Sequence, residues 1–120
     1  MTSHPKRIFI VEDEALIAFE MADALEDLGF EVVGPSMHLH SALDIAQQED
    51  IDIAFLDVNL GKGKTSEPIA RILQERNIPY VYITAYEASQ VEFVQSTDKV
   101  MRKPISIREL QQALLAPQTE

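Results

Sequence analysis

Ile51-Asp52-Ile53-Ala54-Phe55-Leu56-Asp57-Val58-Asn59-Leu60-Gly61, residues 51–61, decides the reading of the fold. Its first six residues are apolar at all but one position, which is the composition of a strand buried on both faces, and the run then breaks into a polar turn. Such a strand belongs to a parallel sheet covered by helices, so the carboxylate of Asp57 is expected at the sheet's C-terminal edge. Open α/β sheets bind their ligands at that edge. Working outward, the other polar chemistry follows similar runs. Glu12 and Asp13 follow Ile8-Phe9-Ile10-Val11, Thr84 follows Val81-Tyr82-Ile83, and Lys103 follows Val100-Met101-Arg102. Four strand ends point at one pocket.

Apolar runs of strand length alternate with segments of helical period, which predicts a doubly wound parallel α/β sheet built of five such units. Arg7 to Val11 reads as the first strand. Ala15 to Leu28 is helical, with Ile17, Met21, Leu25 and Leu28 on one face, and Gly29 is placed to stop it in the left-handed conformation. Glu31 to Val33 is a short second strand that Gly34-Pro35 breaks, and Leu39, Ala42, Leu43 and Ala46 form the inner face of the second helix. Thr65 or Ser66 can cap a third helix, with Ile69, Ile72 and Leu73 inward and Asn77 at its end. Tyr80 to Ile83 is the fourth strand and Lys99 to Arg102 the last. Glu87 to Gln95 is expected to be helical despite its weak stripe, and Ser106-Ile107-Arg108-Glu109 is a capping box that opens the final helix.

The 120 residues suit one domain with a real core, expected over 1–120 with a flexible tail at 1–5 and no output domain. With no cysteine, disulfides and thiolate metal sites are excluded. A net charge of -10 disfavours nucleic acid as a partner and is compatible with a carboxylate cluster that binds a cation. No apolar run reaches the length of a membrane span or a secretory signal, so a cytoplasmic protein is expected.

Three acids, a hydroxyl and a lysine are what phosphoryl transfer to a carboxylate requires. Asp57 would be the nucleophile, Lys103 the cation that neutralises phosphoryl oxygens, and Thr84 a hydroxyl donor. Magnesium takes oxygen ligands and retains waters. Asp13 and Asp57 would bind it directly, the Asn59 backbone carbonyl would be a third ligand, and Glu12 would act through water. Taken singly, each feature has a plainer reading: an acidic helix cap for Glu12-Asp13, a turn for Asp57–Gly61, a strand end for Thr84, a solvated lysine for Lys103. Joint placement at the ends of four strands favours the site. Glu14 is expected only to favour the start of its helix electrostatically. His38 and His40, two apart on a helix, do not face each other and read as exposed polar residues. Tyr80 and Phe93 read as packing residues.

Val11-Glu12-Asp13-Glu14, Leu56-Asp57-Val58-Asn59-Leu60, Ile83-Thr84-Ala85 and Arg102-Lys103-Pro104, in this order, resemble a two-component response-regulator receiver domain across essentially the whole chain. Asp57–Gly61, Glu67-Pro68-Ile69-Ala70 and the run from Ile78 to Tyr86 are similar to the stand-alone receivers called FATGUY for a Phe-Ala-Thr-Gly-hydrophobic-Tyr motif, from which this chain departs in reading Tyr82-Ile83-Thr84-Ala85-Tyr86. The resemblance implies a flavodoxin-like strand order of 2-1-3-4-5, magnesium as cofactor, and phosphotransfer from a histidine kinase to Asp57. It implies a signalling domain and not an enzyme with a separate substrate.

Many receivers carry an aromatic residue three positions before the lysine; here that position is Val100, which cannot swing as a ring does. Tyr86, two residues after Thr84, is the candidate to take over part of that switch or to screen the acyl phosphate. The expected function is a single-domain response regulator acting through a protein partner, such as a phosphotransfer protein or downstream regulator, or as a phosphate sink. A phosphorylation-independent adaptor is the alternative. A flavodoxin-like FMN protein is a weaker rival, because acids and not a Ser/Thr/Gly-rich loop follow the first strand.

Overall fold

The computed structural model describes residues 6–85, 93–95 and 98–115. Along the chain run Arg7–Val11 (β1), Ala15–Asp27 (α1), Glu31–Ser36 (β2), Leu39–Gln48 (α2), Ile53–Asp57 (β3), Glu67–Glu75 (α3), Tyr80–Thr84 (β4), Val100–Arg102 (β5) and Ile107–Leu115 (α4). All strand pairs are parallel, in the order β2-β1-β3-β4-β5, the flavodoxin-like arrangement that the sequence predicts. Most of the helix expected over Glu87–Gln95 lies outside the described residues, and Tyr86 does too; Phe93–Gln95 are described and are not helical. Among the described residues no helix is long and apolar enough to cross a membrane.

Because β3 lies in the centre of the sheet, all five of its residues are buried, and its alternate side chains feed two separate cores. Phe9, Val11, Ala54, Leu56 and Tyr82 pack beneath α2 and α3, while Ile8, Ile10, Ile53, Phe55, Val81 and Ile83 pack beneath α1 and α4. Removing side chains such as Phe55 or Ile8 from water contributes roughly 1.5–3 kcal/mol each. That burial holds the strand ends in a fixed row.

The helix ends follow local chemistry in most places. Gly29 (φ +95°) and Asn77 (φ +59°) take the left-handed conformation just past α1 and α3. The capping box is formed: Ser106 Oγ accepts from the Glu109 amide at 3.1 Å, and Glu109 Oε1 accepts from the Ser106 amide at 3.1 Å. At α3 it is Thr65 whose hydroxyl accepts from the Glu67 amide, at 3.4 Å, whereas Ser66 makes no side-chain cap bond. Arg76 supplies a closure that local reading overlooked, donating from Nη1 to the carbonyls of Ala46 and Glu49 at the end of α2.

The second strand corrects the sequence reading. Gly34-Pro35 does not end β2, which continues to Ser36 with a register irregularity opposite Phe9–Val11. β2 is the sheet's edge, where the amide that proline lacks is not needed. Gly34 has φ +91°, and a Cβ there would lie 2.8 Å from the Ser36 amide nitrogen, so glycine is required for the irregularity.

Candidate functional site

Register brings the polar strand ends together. Val11 lies opposite Leu56, Asp57 opposite Ile83 and Thr84 opposite Arg102. The residues that end or follow these strands, Glu12, Asp57, Thr84 and Lys103, therefore form a row across the C-terminal edge. A pocket of about 210 Å³ opens there, lined by Asp13, Asp57, Asn59, Thr84 and Lys103 together with Glu14, Gly61 and Ala85. Glu12 lies beneath it with only 1% of its surface exposed, and Asp57 is 4% exposed. Lys103 joins Pro104 through a cis peptide.

Charge is densely packed around the lysine. Its Nζ lies 3.0 Å from Glu12 Oε1 and donates to Glu12 Oε2 at 3.2 Å and to Asp57 Oδ2 at 3.4 Å. The Asn59 amide donates to Asp57 Oδ1 at 3.4 Å, and the Glu14 amide donates to Glu12 Oε2 at 3.1 Å. Burial pushes the Asp57 carboxyl up to about 8; hydrogen bonds with the Glu12 and Asp13 carboxyls and the charge of Glu12 push the same way, and Lys103 opposes them without prevailing. Burial alone would lower Lys103, but its hydrogen bond to Glu12 and the charges of Asp57 and Glu12 raise it above the usual lysine range, so the ammonium is retained.

One carboxylate oxygen from each of Glu12, Asp13 and Asp57 lies within 4.8 Å of the others. Three carboxylates against one ammonium leave negative charge uncompensated, which adds to the effect of burial in favouring protonation of Asp57. A hard divalent cation with oxygen ligands would relieve the same excess, so this donor set fits magnesium.

The structure brings Glu12, Asp13, Asp57, Asn59, Thr84 and Lys103 into one place, as the sequence predicts. Val100 is not in that group: it is half-buried in β5 and pairs with Tyr82 of β4. Aromatic mass lies one strand over, where the Tyr82 ring meets Tyr80 edge-on at 5.3 Å and Phe93 at 5.5 Å. Tyr80 and Phe93 thus pack, as expected, and His38 and His40 are exposed. Glu14 is the residue that sequence reasoning missed. It is the N-cap of α1 but makes no side-chain cap bond, and its Oε1 turns back to lie 3.6 Å from Lys103 Nζ. The signal was the third consecutive acid after β1.

The chain matches the family described as response regulator receiver domain over residues 8–115. It is 31% identical over 111 residues to the transcriptional regulatory protein PdtaR of Mycobacterium tuberculosis, an alignment that takes in 88% of this chain and 53% of that protein. The chain thus spans about half the length of these curated relatives. It superposes on the solution structure of SdrG from Sphingomonas melonis Fr1 with a TM-score of 0.76 at 37% identity, covering 93% of this chain and 95% of that one. The BeF3-activated conformation of SdrG, from Pseudomonas melonis Fr1, matches with a TM-score of 0.76 at 38% identity over 90% of this chain and 92% of that one. Lysine, hydroxyl and clustered acids at the four strand ends, together with these matches, place the chain in the response regulator receiver domain family of two-component signalling.

Proposed function

We propose that the protein is a stand-alone response regulator, of the FATGUY type, that accepts a phosphoryl group from a histidine kinase on Asp57. The observation that carries this reading is the Lys103 ammonium held between Glu12 and Asp57 at the floor of an open pocket. Coverage of 95% of the SdrG chain supports a receiver that works alone, and that protein's BeF3-activated conformation supports an acyl-phosphate state. The motif from Ile78 to Tyr86 supports the subtype.

In the transfer, a deprotonated Asp57 oxygen attacks phosphorus in line with the P–N bond of a phosphohistidine. That bond breaks, its electron pair goes to the imidazole, and the ring leaves neutral with a proton on its other nitrogen. Lys103 holds one phosphoryl oxygen while keeping its own proton, and Thr84 donates its hydroxyl to another. Asp13 and Asp57 would hold magnesium directly, with the Asn59 carbonyl as a further ligand and Glu12 through water. Bound there, the ion neutralises charge on the carboxylates and on the phosphoryl oxygens. The chain promotes only its own phosphorylation and dephosphorylation. Output is by contact with a protein partner or by serving as a phosphate sink, in the cytoplasm and without nucleic acid.

Intact-mass analysis after incubation with magnesium and acetyl phosphate, or with a phosphorylated kinase, tests this. One phosphoryl group, labile to base and hydroxylamine, is expected. Equal labelling of Asp57→Asn would sink the assignment of the acceptor.

A further inference from the structure

Three acids follow β1 in succession, and the fold gives each a different position. Glu12 is buried beneath Lys103, Asp13 stands at the exposed rim within ligand distance of Asp57, and Glu14 occupies the outer mouth. The Glu14 backbone is extended (φ -89°, ψ 111°), as an N-cap requires, yet the side chain satisfies no amide of α1. Instead its carboxylate lies 3.6 Å from Lys103 Nζ, on a side chain 62% exposed. Lys103 thus faces two kinds of carboxylate: Glu12 and Asp57, which are buried, and Glu14, which is exposed and lines the pocket.

We infer that Glu14 is a selectivity residue, which disfavours small free phosphoryl anions and so reserves Asp57 for phosphoryl groups carried by a protein. The inference rests on the phosphoacceptor reading above. A donor must bring anionic oxygens to Lys103, and therefore close to the Glu14 carboxylate. For a small dianion this repulsion is opposed only by the groups of the pocket itself, since the donor has little else with which to bind. A protein donor has further contact area beside the pocket. A groove of about 450 Å³ runs between α1 and α4, lined by Ile17, Met21, Ile105 and Leu110, and Leu16, Phe19 and Ile107 are exposed. Apolar burial there offsets a charge penalty that acetyl phosphate meets in full.

The test is the rate of labelling by acetyl phosphate with magnesium, read by intact mass, for the wild type, Glu14→Gln and Glu14→Asp. The transfer breaks the P–O bond to acetate, which leaves with the electron pair, and forms the Asp57–phosphoryl bond. One exposed charge acting on a dianion a few ångströms away should slow labelling about three- to tenfold at low ionic strength. Glu14→Gln should recover that factor, Glu14→Asp should stay near the wild type, and the gain should disappear near about 1 M salt, where the Debye length is about 3 Å. The rate of phosphoryl loss should be the same in all three, because Glu14 acts on arrival. An unchanged or slower Glu14→Gln at low salt would overturn the inference, as would a gain that survives high salt or appears as a longer phosphoryl lifetime. If the wild type and both variants take up no phosphoryl group from acetyl phosphate or a phosphorylated kinase, the acceptor reading falls and this inference with it.

Discussion

Replacing Asp57 with asparagine should stabilise the metal-free protein, although Asp57 is the residue on which the proposed function depends. Burial at the end of β3, together with the hydrogen bonds of the Glu12 and Asp13 carboxyls and the charge of Glu12, raises the Asp57 carboxyl to about 8, far above its range in an unfolded chain. The folded state therefore binds a proton that the unfolded state has released, and stability falls as pH rises between about 4 and about 8. At pH 7.5 the gap of roughly 3.6 units, at 1.36 kcal/mol each, sets an upper bound near 5 kcal/mol. The pocket is open to water on one side, so about 1–3 kcal/mol is the working figure. An amide has the same shape, carries no charge and can donate to Glu12 and Asp13. Asp57→Asn should raise the melting temperature by about 4–12 °C at pH 7.5 in a chelator, taking about 4 °C per kcal/mol. Near about pH 3, below the carboxyl's range in either state, the two proteins should melt together. Melting curves across this pH range check it. A variant that is less stable at pH 7.5, or equally more stable at every pH, would refute the reasoning, since a packing change does not track the titration of a carboxyl.

Two further outcomes follow from the same site. Magnesium should raise the melting temperature of the wild type by mass action, and Asp13→Ala should lose that rise while remaining at least as stable without metal, because Asp13 is exposed and its removal relieves Asp57; curves that show no magnesium effect would remove the acidic cluster as a metal site. Phosphorylation should change hydrogen exchange chiefly between Ala85 and Thr97, and Thr84→Ala should blunt that change, since Thr84 is the proposed donor to the phosphoryl group; uniform exchange in both states would count against it.

How much of this was legible beforehand depended on the distance over which the cause acts. The strand-end positions of Glu12, Asp57, Thr84 and Lys103 could be read because an apolar run followed by a turn is a local signal, and parallel packing then aligns the ends. Capping at Ser106–Glu109 and the stops at Gly29 and Asn77 are local too. β2 was misjudged because proline breaks a central strand and not an edge strand, and which strand lies at the edge is a property of the whole sheet. Glu14 and Arg76 were missed for a similar reason. Each has an unremarkable local setting, and its partner, Lys103 for one and the end of α2 for the other, lies far away along the chain.

The valine at position 100 shows how a substitution in one strand can be read through its neighbour. Absence of an aromatic residue from β5 suggested that some other group carries the response to Thr84, and Tyr86 was the candidate nearest in sequence. Among the described residues the sheet offers another candidate. Tyr82 is the register partner of Val100, lies on the same face of β4 as Thr84 two residues on, and touches the Phe93 ring, which belongs to the connection that follows Thr84. A large ring beside Val100 in β5 would compete with Tyr82 for this space, so a small β-branched residue there and an aromatic in β4 are two halves of one packing arrangement. Any displacement of Thr84 toward a phosphoryl group moves the strand on which Tyr82 is fixed, and the edge-on contact with Phe93 would carry that movement into the connection. The response can pass through a rigid, buried ring of β4 and does not require a rotor in β5.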